Sequence, residues 1–264
     1  MSDFLQTMAV SSRERAAAAR TDYQSSDFDK PVVALSLGVF DVIAEIKDRS
    51  PTEGELKSSN DDRQQRAQAY AAGGAAAISV LTEPSRFDGD LSHLIDVVEA
   101  VPSTPVMRKD FLVEPVQVLE ARKAGASGVL LIAAMLSDEK LSEMLSCAWE
   151  HQMFVLLESF DEDDLRRSSL LLEEPHNRDR ADNAQLLIGV NTRNLRTLEV
   201  DATRLASLSP ALPAAYCVAE SGLRASEDTD RVSALGYKLA LVGTALMRSD
   251  DPTVLIASMR VAGA

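Results

Sequence analysis

The chain has 264 residues, of which 45% are hydrophobic and 26% charged, and a formal net charge of −14. That size and balance suit a soluble globular protein with a sizeable core. So acidic a chain is a poor partner for nucleic acid or for an anionic membrane surface. Cys147 and Cys217 fit no metal or redox spacing, and two cysteines are no disulfide framework at this length. The start, MSDFLQTMAV, lacks a basic n-region and a long apolar h-region. The apolar run at residues 128–136 is too short to span a bilayer. A cytoplasmic protein with no signal peptide is expected.

Residues 4–20, rich in Ala, Arg and Glu, read as a helix, and 22–37 as a polar, Pro-containing connection. Residues 1–38 are therefore expected to extend, at the N-terminus, a single domain covering 1–264. A rhythm then begins. Strand-like apolar runs occupy 39–47, 75–82, 105–110, 128–134, 153–159, 186–191, 216–221 and 239–245. Helix-like segments follow them at 62–72, 92–100, 115–124, 138–151, 161–172, 201–207, 224–235 and 252–261. Many of these open with Asp, Ser or Pro, and Gly125 and Gly236 follow their helices as C-terminal caps do. Eight strand–helix units in a row imply a parallel sheet, and eight favours closure into an α/β fold of the (β/α)8 TIM-barrel type. A doubly wound open sheet is the alternative. Residues 173–185, polar and long for a helix-to-strand turn, are read as an irregular surface insertion on the N-terminal face.

Five of the runs end in polar residues that could carry chemistry. Glu45 and Lys47 close the first, Lys109 the third, Glu158 the fifth, Asn191 the sixth, and Glu220 with Ser221 the seventh. Any one of them could be a strand end meeting solvent. Charge in a strand core is costly unless paired, and barrel catalysis is carried by groups at the C-terminal ends of several strands. Together they predict one acid/base site. Glu45 and Lys47, two residues apart, share a face. Ser221-Gly222 and Gly243-Thr244 fall after the seventh and eighth strands, where barrels often bind phosphate through backbone N–H groups and hydroxyls, and Ser50-Pro51 is grouped with them as a candidate anion site. Each pair alone is also ordinary turn chemistry. Arg193, just past the sixth strand, has the planar fork that suits a carboxylate. Leu81 and Phe111 could wall an apolar part of a ligand or simply pack in the core.

The motifs IAEIKDRSPTEG, ISVLTEP, MRKDFLVEPVQVLEARKAGASGVLLIAAML, LLIGVNTRNLRTLEVD, VAESGL and LVGTALMR, in that order from residue 43 to residue 248, resemble the indole-3-glycerol-phosphate synthase family. The helical start resembles that family's extra N-terminal helix. The resemblance implies a decarboxylating, dehydrating ring closure of 1-(2-carboxyphenylamino)-1-deoxyribulose 5-phosphate in tryptophan biosynthesis, with no metal or organic cofactor. It implies Lys109 as general acid at the ketone, Lys47 as a carboxylate contact and second acid, and Glu45 and Glu158 in proton removal, dehydration and support of the lysines. Asn191 would orient a hydroxyl or neighbouring carboxylate, and Arg193 would hold the anthranilate carboxylate. Glu220 and Ser221 would organise the polar network, and Ser50, Gly222, Gly243 and Thr244 would take the phosphate.

This chain departs from the family pattern at Asp48, usually basic, at Thr52, usually serine, at Thr192, usually asparagine, and at Arg86, usually aromatic; residues 56–66 also lack the Asp-aromatic-Asp-Pro pattern. A paralogue with altered substrate in a specialised indole pathway therefore stays open. Another phosphate-binding barrel, such as a sugar-phosphate isomerase, would need a Cys/Asp or paired-Asp site, and a non-catalytic scaffold would have no use for the polar cluster. The expected partner is a small phosphorylated substrate, with no nucleic acid and no membrane, on a monomer or weak homo-oligomer lacking a fused second enzyme.

Overall fold

The computed structural model describes residues 3–50, 53–56, 62–193, 200–201 and 203–264. Pro51, Thr52, residues 57–61 of the 56–66 segment and the 194–195 part of the NTRNL motif lie outside the described residues. The eight expected strands are present as β1 (Asp41–Ile46), β2 (Ala77–Leu81), β3 (Val106–Lys109), β4 (Gly128–Ile132), β5 (Phe154–Ser159), β6 (Leu186–Asn191), β7 (Tyr216–Glu220) and β8 (Leu239–Val242). They pair in parallel in chain order, and β1 closes on β8 to complete a barrel. The open-sheet alternative is thereby excluded.

Among the described residues the helices are α1 (Asp3–Ala17), α2 (Arg63–Ala72), α3 (Pro84–Phe87), α4 (Leu91–Ala100), α5 (Pro115–Ala124), α6 (Asp138–Glu150), α7 (Glu162–Leu171), α8 (Pro175–Asp182), α9 (Thr203–Leu208), α10 (Ser226–Ala234), α11 (Thr244–Arg248) and α12 (Pro252–Gly263). Local chemistry sets their starts. Asp62, Asp90, Ser137, Asp161 and Asp251 each accept a backbone N–H of the first turn. Pro115 and Pro252 occupy first helical positions, where a missing N–H costs nothing. Gly125 closes α5 with φ 99°, a left-handed conformation that a Cβ would strain. No helix among the described residues is long and apolar enough to cross a membrane.

Residues 173–185 are not irregular. They carry α8, with Asn177 and Ala181 buried and Arg180 stacked 5.5 Å from the Trp149 ring. The sequence PHNRDRAD hides this because its buried face is too small to give an apolar period.

Register decides which side chains fill the barrel. Ile132 of β4 pairs with Glu158, Glu158 with Gly189, and Gly189 with Val218, while Asn191 pairs with Glu220 and Glu220 with Leu241. Alternation then points Glu45, Leu81, Lys109, Glu158, Asn191 and Glu220 to the interior near the C-terminal ends, above a layer of aliphatic residues. Val42, Ala44 and Ile46 point outward and are fully covered by the helical ring.

Helix α1 belongs to the same core. Leu5, Met8, Ala9, Ser12 and Ala16 are buried at helical spacing. Gln117 Nε2 donates to Ser12 Oγ at 2.9 Å, and Arg15 grips Asp110 with two bonds of 2.8 Å. Phe4 meets the Phe111 ring edge-on at 5.8 Å. Asp110 and Phe111 follow β3 at its C-terminal end, so α1 lies over the side of the barrel mouth that bears Lys109.

Candidate active site

The mouth encloses a cavity of about 410 Å³, within the usual range for small-molecule sites. Its lining includes each candidate site residue: Glu45, Lys47, Lys109, Glu158, Asn191, Glu220 and Ser221 from the polar strand ends, Ser50, Gly222, Gly243 and Thr244 from the expected anion site, and Leu81, Phe111 and Arg193.

The polar groups form two connected sets. In the first, Glu45 Oε2 holds Lys47 Nζ at 2.6 Å and Glu45 Oε1 lies 3.6 Å from Lys109 Nζ. Burial alone would raise the Glu45 pKa, but Lys47 and then Lys109 outweigh it and hold the carboxyl below its ordinary value. Burial likewise opposes the charge on Lys109, yet Glu45, Glu158 and Glu220 together keep its pKa above the ordinary lysine value. Lys109 is therefore a charged acid at neutral pH. In the second set Asn191 is the hub. Its Nδ2 donates to Glu158 Oε1 at 3.0 Å, while its Oδ1 accepts from Ser221 Oγ and from the Arg193 N–H, each at 2.9 Å. Burial, then the neighbouring Glu158, push Glu220 well above the usual carboxylate range.

Two glycines make the packing possible. A Cβ on Gly243 would overlap Glu45 Oε2 and lie 2.8 Å from Lys47 Nζ. The glycine after β8 thus makes room for the charged pair Glu45–Lys47 as well as bordering the expected anion side. Ser221 and Gly222 both adopt positive φ, 69° and 79°, turning the chain sharply after β7 beside the cavity.

Several lining residues were not foreseen. Phe4 and Phe87 join Phe111 in an aromatic wall, with Phe87 and Phe111 centroids 6.1 Å apart. Nothing local in the sequence says that α1 folds back over the mouth. Arg224 and Arg248 line the end near Gly222 and Thr244, and Arg248 pairs with Glu53 at 3.0 Å. Each follows a foreseen glycine motif by only a few residues, which is the signal that could have found them. Among the described residues no group of three or more His, Cys, Asp or Glu side chains is arranged to hold a metal ion.

The family profile described as indole-3-glycerol phosphate synthase matches residues 6–259. The chain belongs to the indole-3-glycerol phosphate synthase family. It is 43% identical to the indole-3-glycerol phosphate synthase of Paenarthrobacter aurescens (strain TC1) over 224 residues, 84% of this chain and 77% of that one. It is also 43% identical to the enzyme of that name from Methanopyrus kandleri over 235 residues, 87% and 86% of the two chains. Among solved structures, 3-hexulose-6-phosphate synthase from Salmonella typhimurium superposes with a TM-score of 0.62 over 84% of this chain and 98% of its own. At 15% identity that likeness shows the barrel fold alone.

Within the family, three departures of this chain at described residues have identifiable structural fates. Asp48 does not line the cavity; it pairs with Arg63 Nη2 at 2.9 Å at the start of α2. Arg86 is exposed, and the aromatic presented to the cavity is its neighbour Phe87. Thr192 is buried and donates through Oγ1 to the Glu220 carbonyl at 3.2 Å, tying β6 to β7.

Proposed function

We propose that this protein is an indole-3-glycerol-phosphate synthase, converting 1-(2-carboxyphenylamino)-1-deoxyribulose 5-phosphate to indole-3-glycerol phosphate, carbon dioxide and water. The observation that carries the reading is the convergence, in one cavity, of the Glu45–Lys47–Lys109 cluster with an aromatic wall and a hydroxyl- and glycine-lined end. Those three parts match the ketone and carboxylate, the aryl ring and the phosphate of that substrate.

In this reading the phosphate sits among Ser50, Gly222, Gly243 and Thr244, and the aryl ring packs on Leu81, Phe111 and their aromatic neighbours. Lys109 gives a proton to the ketone oxygen, so that the ring carbon bearing the carboxylate can attack the ketone carbon. Carbon dioxide then leaves, and the electron pair of its bond to the ring stays behind and restores the aromatic ring. Loss of a proton to Glu45 or Glu158 and departure of the former ketone oxygen as water complete the indole. Lys47 faces the carboxylate and serves as the second acid, Arg193 clamps the same carboxylate, and Asn191 aims Glu158. The proposed setting is cytoplasmic, with the enzyme working as a monomer or weak homo-oligomer. The fates of Asp48 and Arg86, both outside the cavity, favour the ordinary substrate over an altered one.

The test is turnover of that substrate by purified protein, followed by indole fluorescence and carbon dioxide release. Product should form at an unchanged rate with chelator present, because the acid work falls to lysines. Absence of indole product at high enzyme concentration would overturn the assignment.

A further inference from the structure

Glu158 and Glu220 come from strands separated by β6, and the strand between them carries no side chain where they approach. Gly189 is the register partner of Glu158 on one side and of Val218, two residues before Glu220, on the other. A Cβ on Gly189 would overlap Glu220 Oε1. The glycine therefore lets the Glu220 carboxyl lie over β6 toward Glu158. Glu158 Oε2 and both oxygens of Glu220 are buried without a hydrogen-bond partner among the described residues, whereas Glu158 Oε1 is held by Asn191.

The other charged groups acting on Glu220 are Lys109 from β3 and Glu45 from β1. Lys47 and Arg193 act on Glu45 in turn. The buried core of the site thus has three carboxyl groups facing two lysines. Two carboxylates that share a buried space with no donor between them repel each other and lose hydration together. A single proton removes both costs, since it cancels one charge and supplies the missing donor.

We propose that Glu220 is a proton-bearing positioning residue: its neutral carboxyl donates to Glu158 Oε2 and, with Asn191 on the other oxygen, holds Glu158 as the one anion of the pair. Burial and the Glu158 charge favour the neutral form of Glu220, against the pull of Lys109. The pairing rests on the proposed function only in treating Glu158 as a group that acts on substrate. The decisive measurements use substrate-free protein, so failure of the pairing and failure of the assigned activity are told apart.

The experiment is infrared spectroscopy of wild-type protein with isotope-labelled glutamate, beside Glu220→Gln. The carbonyl stretch of a buried protonated carboxyl should be present in the wild type at neutral pH and missing from the variant. Urea unfolding gives a second reading. A carboxyl whose pKa is raised on folding contributes fully below its unfolded value, about 4.3, and that contribution is lost as pH rises through the folded value. Wild type should therefore lose stability relative to Glu220→Gln as pH rises from about 4.3. In turnover, Glu220→Gln keeps shape, neutrality and a donor and should lose at most about tenfold in kcat, whereas Glu220→Ala strands a buried Glu158 oxygen and should lose about 100-fold. A wild type without the protonated band, a band that persists in Glu220→Gln, a stability difference flat with pH, or equal losses for the two variants would each overturn the proposal.

Discussion

Lys109 Nζ and Glu45 Oε1, from strands separated by β2, lie 3.6 Å apart inside the barrel mouth. Glu45 is the strongest attractive influence on the Lys109 ammonium, ahead of Glu158 and Glu220. Activity that needs charged Lys109 is lost as pH rises through its raised pKa. Glu45→Gln removes the main support for that charge, so the alkaline limb of the kcat profile should move to lower pH. A limb that stays in place would mean that Lys109 does not set it.

Arg193→Lys tests the proposed carboxylate clamp. The charge is kept, but the planar fork that fits two carboxylate oxygens is lost. Substrate should bind about tenfold more weakly, as expected for loss of one charge-assisted bond, with folding stability nearly unchanged. A substrate analogue lacking the carboxylate should bind both proteins alike. Dissociation constants for both ligands on both proteins form the cycle that checks this.

Thr244 and Gly243 separate anchoring from chemistry in an instructive way. Thr244→Val should mainly raise KM, because in the proposed reading it removes only a hydroxyl offered to the phosphate. Gly243→Asp cannot be so clean. Its side chain would enter space held by Glu45 and Lys47, so kcat should fall as well. Steady-state kinetics of both variants check the contrast.

Acid stability should report on the tie between α1 and β3. Burial would raise the Asp110 pKa, but the Arg15 hydrogen bonds, then Arg108 and Thr82, bring it from 3.8 to about 2. A carboxyl lowered in this way stabilises the fold above about 3.8 and loses that contribution as pH falls through about 2. Arg15→Ala should cost about 1–3 kcal/mol, the range for leaving a buried group short of one partner. It should also flatten the stability profile across that acid window. Urea unfolding at several pH values checks both.

The fold was legible because each barrel strand is a short apolar run followed by a helix-like segment, and five of the runs end in polar residues. The charged cluster was legible from those polar ends: a charge closing a buried run must find a partner, and Glu45, Lys47 and Lys109 find one another. What the sequence concealed depends on contacts between distant segments. Phe4 reaches the cavity only because Arg15 and Ser12 dock α1 on Asp110 and Gln117, about a hundred residues away. The packing roles of Gly189 and Gly243 toward Glu220 and Glu45 are equally invisible before the strands are in register. Helix α8 was missed because its few buried positions give no period.

Lys109 as the acid at the reacting ketone is tested most directly by single-turnover kinetics. Wild type and Lys109→Ala, each in excess over 1-(2-carboxyphenylamino)-1-deoxyribulose 5-phosphate, are followed by indole fluorescence, with substrate affinity measured in parallel. Wild type should convert the bound substrate, while Lys109→Ala should bind it with similar affinity and form indole at least about 100-fold more slowly, the lower range for general acid–base catalysis. Indole formation by Lys109→Ala at the wild-type rate would contradict that role.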